Sequence, residues 1–430
     1  MPSTTPVISP LLEIEQAVLS RAMDEHLDID DDRTGPRLKE LLRAEIDQWH
    51  IDFQHGRRYH DIADPHALMI RAERDLLGYG PLQSLLDDDD VWEVMVNAPD
   101  QIFVRRHQGH HGYHDESFHD RDHVVRTLTR LLHDSSGSHR KLDPAEGLQD
   151  AQLDDGARLH IVHAEVGRGS NLLVNIRKFT GVAFRSLDEL VNQAMMPPEV
   201  ADLLRAAVRA RLSIIIAGPP GAGKTTLLSC CAAELDPVLR VVTAEEVFEV
   251  DVPLPNVASM QTRSARPGRP AVDLRRLVAG FLRMAPDVAI VGEVRDQEAL
   301  PLLLTLSSGV TGYTTIHAGS AVQALSRLRF VCQLADTRSE LPLVALNALV
   351  VDAVDVVVHC DRVNGVPRLR QVAAVEAMED VSHPTLPVSM LYDEGWTGVR
   401  PTRALAALTA AGWSPPSQDP IHDATQAASR

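Results

Sequence analysis

The stretch SIIIAGPPGAGKTTLLSCCAAEL, residues 213–235, decides how this 430-residue chain is read. Ser213-Ile214-Ile215-Ile216-Ala217 is short, β-branched and apolar, the pattern of a strand buried on both faces. From Thr225 to Glu234 there is no breaker, so the chain continues as a helix. Between them, Gly218-Pro219-Pro220-Gly221-Ala222-Gly223-Lys224-Thr225 fills the pattern G-x-x-x-x-G-K-[ST] without a gap. A strand, glycine loop and helix in this order wrap a phosphate chain. Glycines let backbone N–H groups approach the oxygens with no Cβ in the way, and the helix start adds partial positive charge. The motif assigns Lys224 to the β- and γ-phosphates and the Thr225 hydroxyl to Mg2+, with Thr226 beside the α-phosphate. The expected ligands are therefore ATP and Mg2+.

Working outward, further apolar runs at 241–243, 288–291, 313–316 and 354–359 alternate with helical segments, which predicts a mostly parallel sheet. Asp287-Val288-Ala289-Ile290-Val291-Gly292-Glu293 is an apolar strand ending in a carboxylate, and in a phosphate-loop fold such an acid faces the metal and the γ-phosphate. Glu293 is thus a second candidate for the Mg2+ site, directly or through water. Thr243-Ala244-Glu245-Glu246-Val247-Phe248-Glu249 follows another apolar run, and Glu245 or Glu249 could polarise water as a general base. His317 ends the run Tyr313-Thr314-Thr315-Ile316, on the strand edge where such sheets take ligands. Arg263, Arg266, Arg269, Arg275 and Arg276 form a basic run, from which one arginine could complete a neighbour's site. Asn364-Gly365 between two apolar runs predicts a hairpin.

Upstream, residues 11–27 and 36–54 have helical spacing, for example Leu38, Leu41, Leu42, Ile46 and Trp49. Residues 92–96, 101–105, 151–162 and 170–179 read as strands and 124–132 as a helix, giving an α+β region. The expected division is a helical region over 1–78 with a mobile start, an α+β domain over 79–180 and a linker helix over 181–197. An ATPase domain over 198–385 and a C-terminal segment over 386–430 with a disordered tail complete it. Ser186-Leu187-Asp188-Glu189 has capping-box form at the linker. His107, His110, His111, His114, His119 and His123 crowd one span, but their spacing fits no metal-ligand pattern. Cys230, Cys231, Cys332 and Cys360 contain no C-x-x-C pair and read as reduced core residues.

The net charge of −18 argues against nonspecific binding to nucleic acid or anionic lipid. No run approaches the ~20 apolar residues that span a bilayer, and the first residues lack a basic segment followed by an apolar one. A cytoplasmic location is expected.

Several ordered segments carry a resemblance. GYGPLQSLL and EVMVNAPDQIFV (78–104), LQDAQLDDGARLHIV (148–162) and VNIRKF (174–179) precede the phosphate loop. VVTAEEVFEV, LRRLVAGFLRMAPDVAIVGEVRDQEA and GYTTIHAGSAVQALSRLR follow it. Together, over about residues 75–375, they resemble the type II/IV secretion ATPase family, and most closely its CpaF/TadA branch, the Tad/Flp pilus assembly ATPases. The resemblance implies an α/β fold with a RecA-like P-loop core and a smaller N-terminal α+β domain. It implies a homo-hexamer that hydrolyses MgATP to assemble a Tad or type IV-like pilus or to secrete protein subunits across the bacterial envelope. Its partners would be a polytopic inner-membrane platform protein and, indirectly, a pilin-like cargo, with no direct nucleic acid. The protein would sit at the inner face of the cell membrane through those partners. By the same resemblance Glu245 and Glu249 fall on an acidic box, Glu293 on the Walker B position, Arg295 on the arginine after it and His317 on a histidine box. Arg158 and Arg177 match N-terminal-domain arginines that reach the nucleotide phosphates, and Arg263 and Arg266 lie in an arginine-bearing loop. Departures are Ala244 for a usual Ile, Ala279-Gly280 for a usual Arg-Asn pair, and Gly319 for a usual Asn. The rival reading is a nucleic-acid translocase or helicase on the same core, against which the acidic balance weighs.

Overall fold

The computed structural model describes residues 9–29, 32–106, 111–135, 141–154, 156–178, 184–263, 270–335, 341–378 and 385–416. The chain divides into two compact units, Met1–Thr180 and Gly181–Arg430.

In the first unit, helices Pro10–Asp24, Gly35–Gln54 and Pro65–Leu77 bury one apolar face each. Ile14, Val18, Leu38, Leu42, Trp49 and Leu76 form their common core. The Asp64 carboxylate caps the third helix by accepting from the Ala67 amide, and Pro65 takes the first helical position, where no N–H is needed. Beyond it, strands β1 (Val91–Ala98), β2 (Gln101–Arg106), β3 (Gly112–Tyr113), β4 (Leu148–Gln152), β5 (Arg158–Val162) and β6 (Leu173–Arg177) form one antiparallel sheet. The strand order is β3-β2-β1-β6-β5-β4. Helix Arg121–Asp134 supplies Val124, Leu128, Leu131 and Leu132 to the core shared with that sheet. The single strand expected over 151–162 is instead a hairpin of β4 and β5. The Leu153 amide donates to the Ala157 carbonyl, and Gly156 turns at φ +88°.

The second unit is a sheet of eight strands with helices on both faces. β7 (Ile214–Ala217), β8 (Val241–Glu245), β9 (Val257–Gln261), β10 (Val288–Val294), β11 (Thr311–Ile316) and β12 (Val356–Val363) run parallel, in the order β12-β7-β11-β10-β8-β9. β13 (Val366–Val375) and β14 (Val388–Asp393) extend the β12 edge antiparallel. The all-apolar strand sequences follow from coverage on both sides. Ile214 and Ile216 face one core with Leu227 and Leu228, whereas Ile215 and Ala217 face another with Leu303 and Leu325. Asn364 and Gly365 form the two-residue loop between β12 and β13, both at positive φ.

Two segments differ from expectation. Within 181–197 the helix is Leu187–Asn192 alone, because Ala194 takes φ +53° and Pro197 begins the next helix, Pro198–Arg209. Ser186 caps the short helix by accepting from the Glu189 amide, and Glu189 accepts from the Arg185 amide. The second unit also continues past 385, where the expected boundary lay. β14 joins its sheet, and Leu408 of helix Leu405–Ala410 lies with Trp413 in its core. The start (1–8) and the tail (417–430), expected to be mobile and disordered, lie outside the described residues. Cys230, Cys231, Cys332 and Cys360 are free and buried.

Helix Ala299–Ser307 packs against β11 through Gly312, where an added Cβ would come 2.1 Å from Leu306 Cδ2. Gly312→Ala is therefore expected to lower stability by roughly 1–3 kcal/mol. Thermal unfolding would read the loss while nucleotide affinity changes little.

Candidate functional site

Because β7, β11, β10 and β8 are neighbours and parallel, their C-terminal ends lie along one edge. This edge gathers the loop after Ala217, His317 after Ile316, Glu293 near the end of β10 and Glu245 at the end of β8.

The loop conformation demands glycine. Gly218 has φ +153°, and an added Cβ would stand 2.2 Å from the Cys360 carbonyl oxygen on β12. Gly223 has φ +81° and leads into helix Lys224–Ala233, where Thr225 and Thr226 occupy the first turn. The helix N-terminus thus opens where a phosphate chain would enter. Lys224 is buried to 7 % exposure, with its ammonium 3.0 Å from the Pro219 carbonyl and 3.3 Å from His317 Nδ1.

His317 links Lys224 to Glu293. Its Nε2 lies 2.8 Å from Glu293 Oε1. Burial, and after it the Lys224 ammonium, hold the imidazole below its ordinary range, so the ring is neutral. Burial would raise the Glu293 carboxyl, but Arg295, with His317 and Lys224 behind it, keeps it below its ordinary range. An ionised Glu293 can only accept, so the ring proton belongs on Nε2, in close polar contact with Oε1 but without hydrogen-bond geometry, and Nδ1 offers its lone pair to Lys224. Nδ1 also lies 3.1 Å from the Gly218 carbonyl, the acceptor it would use on gaining a proton. Arg295 closes the far side, donating to Glu293 Oε2 at 2.6 Å and to Glu246 Oε2 at 3.1 Å. The result is a continuous chain of charged and polar groups: Lys224, His317, Glu293, Arg295, Glu246.

Backbone irregularity aims these groups. The pairing of β10 with β11 shifts register between Val291 and Val294, which places Gly292 and Glu293 in a bulge. The Thr315 hydroxyl holds the bulge by donating to the Gly292 carbonyl at 2.8 Å. Gly292 also leaves room for Glu245, whose Cγ would be 3.0 Å from an added Cβ. Glu245 is buried, and its Oε1 accepts from the Glu249 and Val250 amides at 2.9 Å each. Its carboxylate therefore ties down the acidic loop, while the half-buried Glu249 side chain projects from that loop.

Arg158 on β5 and Arg177 on β6 are half-buried and directly opposite each other in the antiparallel register. Glu93 pairs with Arg177 on its other side and with Arg105 beyond. Arg263 is exposed, with its backbone bridged to Val272, and Arg266 and Arg269 lie outside the described residues. Sequence reasoning missed Arg362. From β12 it donates through Nη1 to the Gly221 carbonyl at 2.9 Å and through Nη2 to Gly365. It braces the phosphate loop from the hairpin, across 141 residues of chain, so no local motif could reveal it. Gly292, next to a recognised acid, carried a signal: glycine one residue before a functional carboxylate marks a bulge or a close approach.

Among the described residues no helix is long and apolar enough to cross a membrane. A family model described as type II/IV secretion system protein matches residues 75–379. A type IV secretion system protein PtlH homolog of Bordetella bronchiseptica is 31% identical, covering 68% of this chain and 92% of its own length. The conjugal transfer protein TrbB of Rhizobium radiobacter is 29% identical, covering 74% of this chain and 94% of its own. Among solved structures, the VirB11 ATPase of the Brucella suis type IV secretion system is 26% identical, covering 68% of this chain and 92% of its own, with a TM-score of 0.35.

Two outcomes test the loop geometry. Gly218→Ala is expected to abolish nucleotide binding, since backbone cannot give way as a side chain can. Arg362→Ala is expected to raise the nucleotide Kd at least about tenfold, a lost brace worth ~1.4 kcal/mol, with the unfolding midpoint nearly unchanged. Fluorescent-nucleotide titration beside thermal unfolding reads both.

Proposed function

The chain belongs to the type II/IV secretion system protein family, and from that membership we propose that its ATP hydrolysis drives assembly of a pilus or export of protein subunits through a bacterial envelope machine. The chain is an ATP hydrolase. The finer reading is a Tad-type motor of the CpaF/TadA branch, working as a hexamer against a polytopic platform protein in the inner membrane. Pilin-like subunits are its indirect cargo. The protein works at the inner face of that membrane, held there by its partners.

The observation that carries the reading is the connected chain from Lys224 to Glu246 along the carboxyl edge of the sheet. The residues fit Mg2+ and a triphosphate: the Gly218 cradle excludes any Cβ, Lys224 holds a buried positive charge, and Thr225 opens the helix. Bound there, Mg2+ would neutralise phosphate charge, with Thr225 and Glu293 as the residues to hold it, Glu293 through water. Lys224 exchanges Pro219 and His317 for phosphate oxygens. His317, released from the ammonium, keeps its bond to Glu293 and reports the γ-phosphate to it. Glu249 or Glu293 orients the attacking water and takes its proton. Arg295 holds Glu293 ionised until then. Glu245 fixes the acidic loop so that Glu249 keeps its place. Arg158 and Arg177, side by side on the first unit's sheet, are proposed to meet the phosphates from that unit. Losing this contact after hydrolysis would then be the mechanical step.

Lys224→Ala is expected to lose MgATP binding and turnover together. Glu293→Gln is expected to keep binding and lower kcat by roughly 10²–10⁴-fold. Coupled-assay kinetics on purified protein separate these outcomes, and full turnover by Lys224→Ala would end the proposal. Replacing Arg158 and Arg177 by Gln should lower turnover and abolish piliation or export while Lys224 still binds nucleotide.

A further inference from the structure

A second cluster of chemistry-bearing side chains lies in the first unit, within Met1–Thr180. Glu15 comes from helix Pro10–Asp24, Asp75 from helix Pro65–Leu77, His119 from just before helix Arg121–Asp134 and His123 from its first turn. Ligand atoms of Asp75, His119 and His123 all lie within 4.8 Å of one another. His119 Nε2 is 2.8 Å from Glu15 Oε2 and 3.4 Å from Asp75 Oδ2. His123 Nε2 is 3.8 Å from Asp75 Oδ1. The Asp75 and His123 side chains are each 1 % exposed.

Three atoms of this one cluster, Glu15 Oε1, Asp75 Oδ1 and His123 Nε2, are buried without a hydrogen-bond partner. Buried polar atoms are rarely left so, and Asp75 Oδ1 and His123 Nε2, 3.8 Å apart, mark a missing occupant between them. The gaps of 3.4 and 3.8 Å are longer than good hydrogen bonds. They are near the ~3.4 Å separation of two ligands held ~2.0–2.1 Å from one tetrahedral ion. Gly80 keeps the place open: at φ +55°, an added Cβ would stand 3.0 Å from His123 Nε2 and 3.1 Å from Asp75 Oδ1.

We propose that Asp75, His119 and His123, with Glu15 beside them, form a binding site for one divalent transition-metal ion of the zinc type, which fastens the N-terminal helices to the α+β part of this unit. Two imidazoles and a carboxylate suit such an ion rather than calcium or magnesium, which prefer all-oxygen sets. The Arg71 guanidinium, donating to Asp75 Oδ2 at 2.9 Å, orients that carboxylate from behind. Ligation through His123 Nε2 puts that ring's proton on Nδ1, and the 3.3 Å contact from the His119 amide to Nδ1 is given up. The site is local to the first unit and rests on none of the nucleotide chemistry. In the sequence only the four-residue step from His119 to His123 has a ligand spacing, whereas Glu15 lies 104 residues from His119.

The test is metal content and zinc titration of the full chain, stripped with chelator and then titrated with ZnCl2 by calorimetry. One zinc per chain is expected to survive desalting, and its binding to raise the unfolding midpoint. His123→Gln and Asp75→Asn should each weaken zinc at least about tenfold, with circular dichroism showing that the helices persist. Should either variant fail to fold, the wild-type stoichiometry decides alone. Substoichiometric zinc in the wild-type chain, or undiminished zinc affinity in folded variants, would overturn the site and mean that water fills the gap.

Discussion

Everything in the ATPase unit turns on one buried positive charge. Lys224 stands at a helix N-terminus, almost out of water, with its ammonium on the Pro219 carbonyl and against His317 Nδ1. A positive charge held at a helix N-terminus is well placed to meet a phosphate chain. The same contact that holds Lys224 in place also begins the link to Glu293. In the proposed function, nucleotide arrival would be felt at the carboxylate through that link, because one partner of Lys224 changes and its neighbours are already in line.

The fold is what makes so short a link possible. A parallel sheet buried on both faces puts every strand's C-terminal end on one edge, and the strand order sets who meets whom. With β11 between β7 and β10, His317 stands between the phosphate loop and Glu293. The register shift on β10 turns Glu293 toward that histidine. Gly218, Gly292 and Gly312 each mark a place where another group occupies the volume a side chain would need. Arg362 adds a constraint from the β12–β13 hairpin, which lies in a late part of the sequence but beside the loop in space.

Much of this was legible in the sequence because it depends on local rules. The phosphate loop, the Ser186 cap and the Asn364-Gly365 turn are each set by a few contiguous residues whose conformational needs are narrow. The runs over 214–217 and 288–291 declared themselves by unbroken apolarity. The sequence was less informative where outcome depends on distant partners. Residues 151–162 read as one strand because the turn at Gly156 interrupts an otherwise extended pattern. Glu245 and Glu249 looked interchangeable, and only burial separates the one that ties backbone amides from the one that projects. Arg362 joins segments far apart in the chain, and in the Asp75–His119–His123 cluster the i, i+4 histidine pair is legible but Asp75, from a distant helix, is not.

The account's central claim is that Lys224, His317 and Glu293 act as one connected unit. A double-mutant cycle on ATP turnover, using His317→Ala, Glu293→Gln and the pair, tests it most directly. The account predicts strong non-additivity, with a coupling energy of about 1–3 kcal/mol, because the second substitution removes a link the first has already cut. Effects on kcat/KM that simply multiply would show that the two residues act independently, and would contradict it.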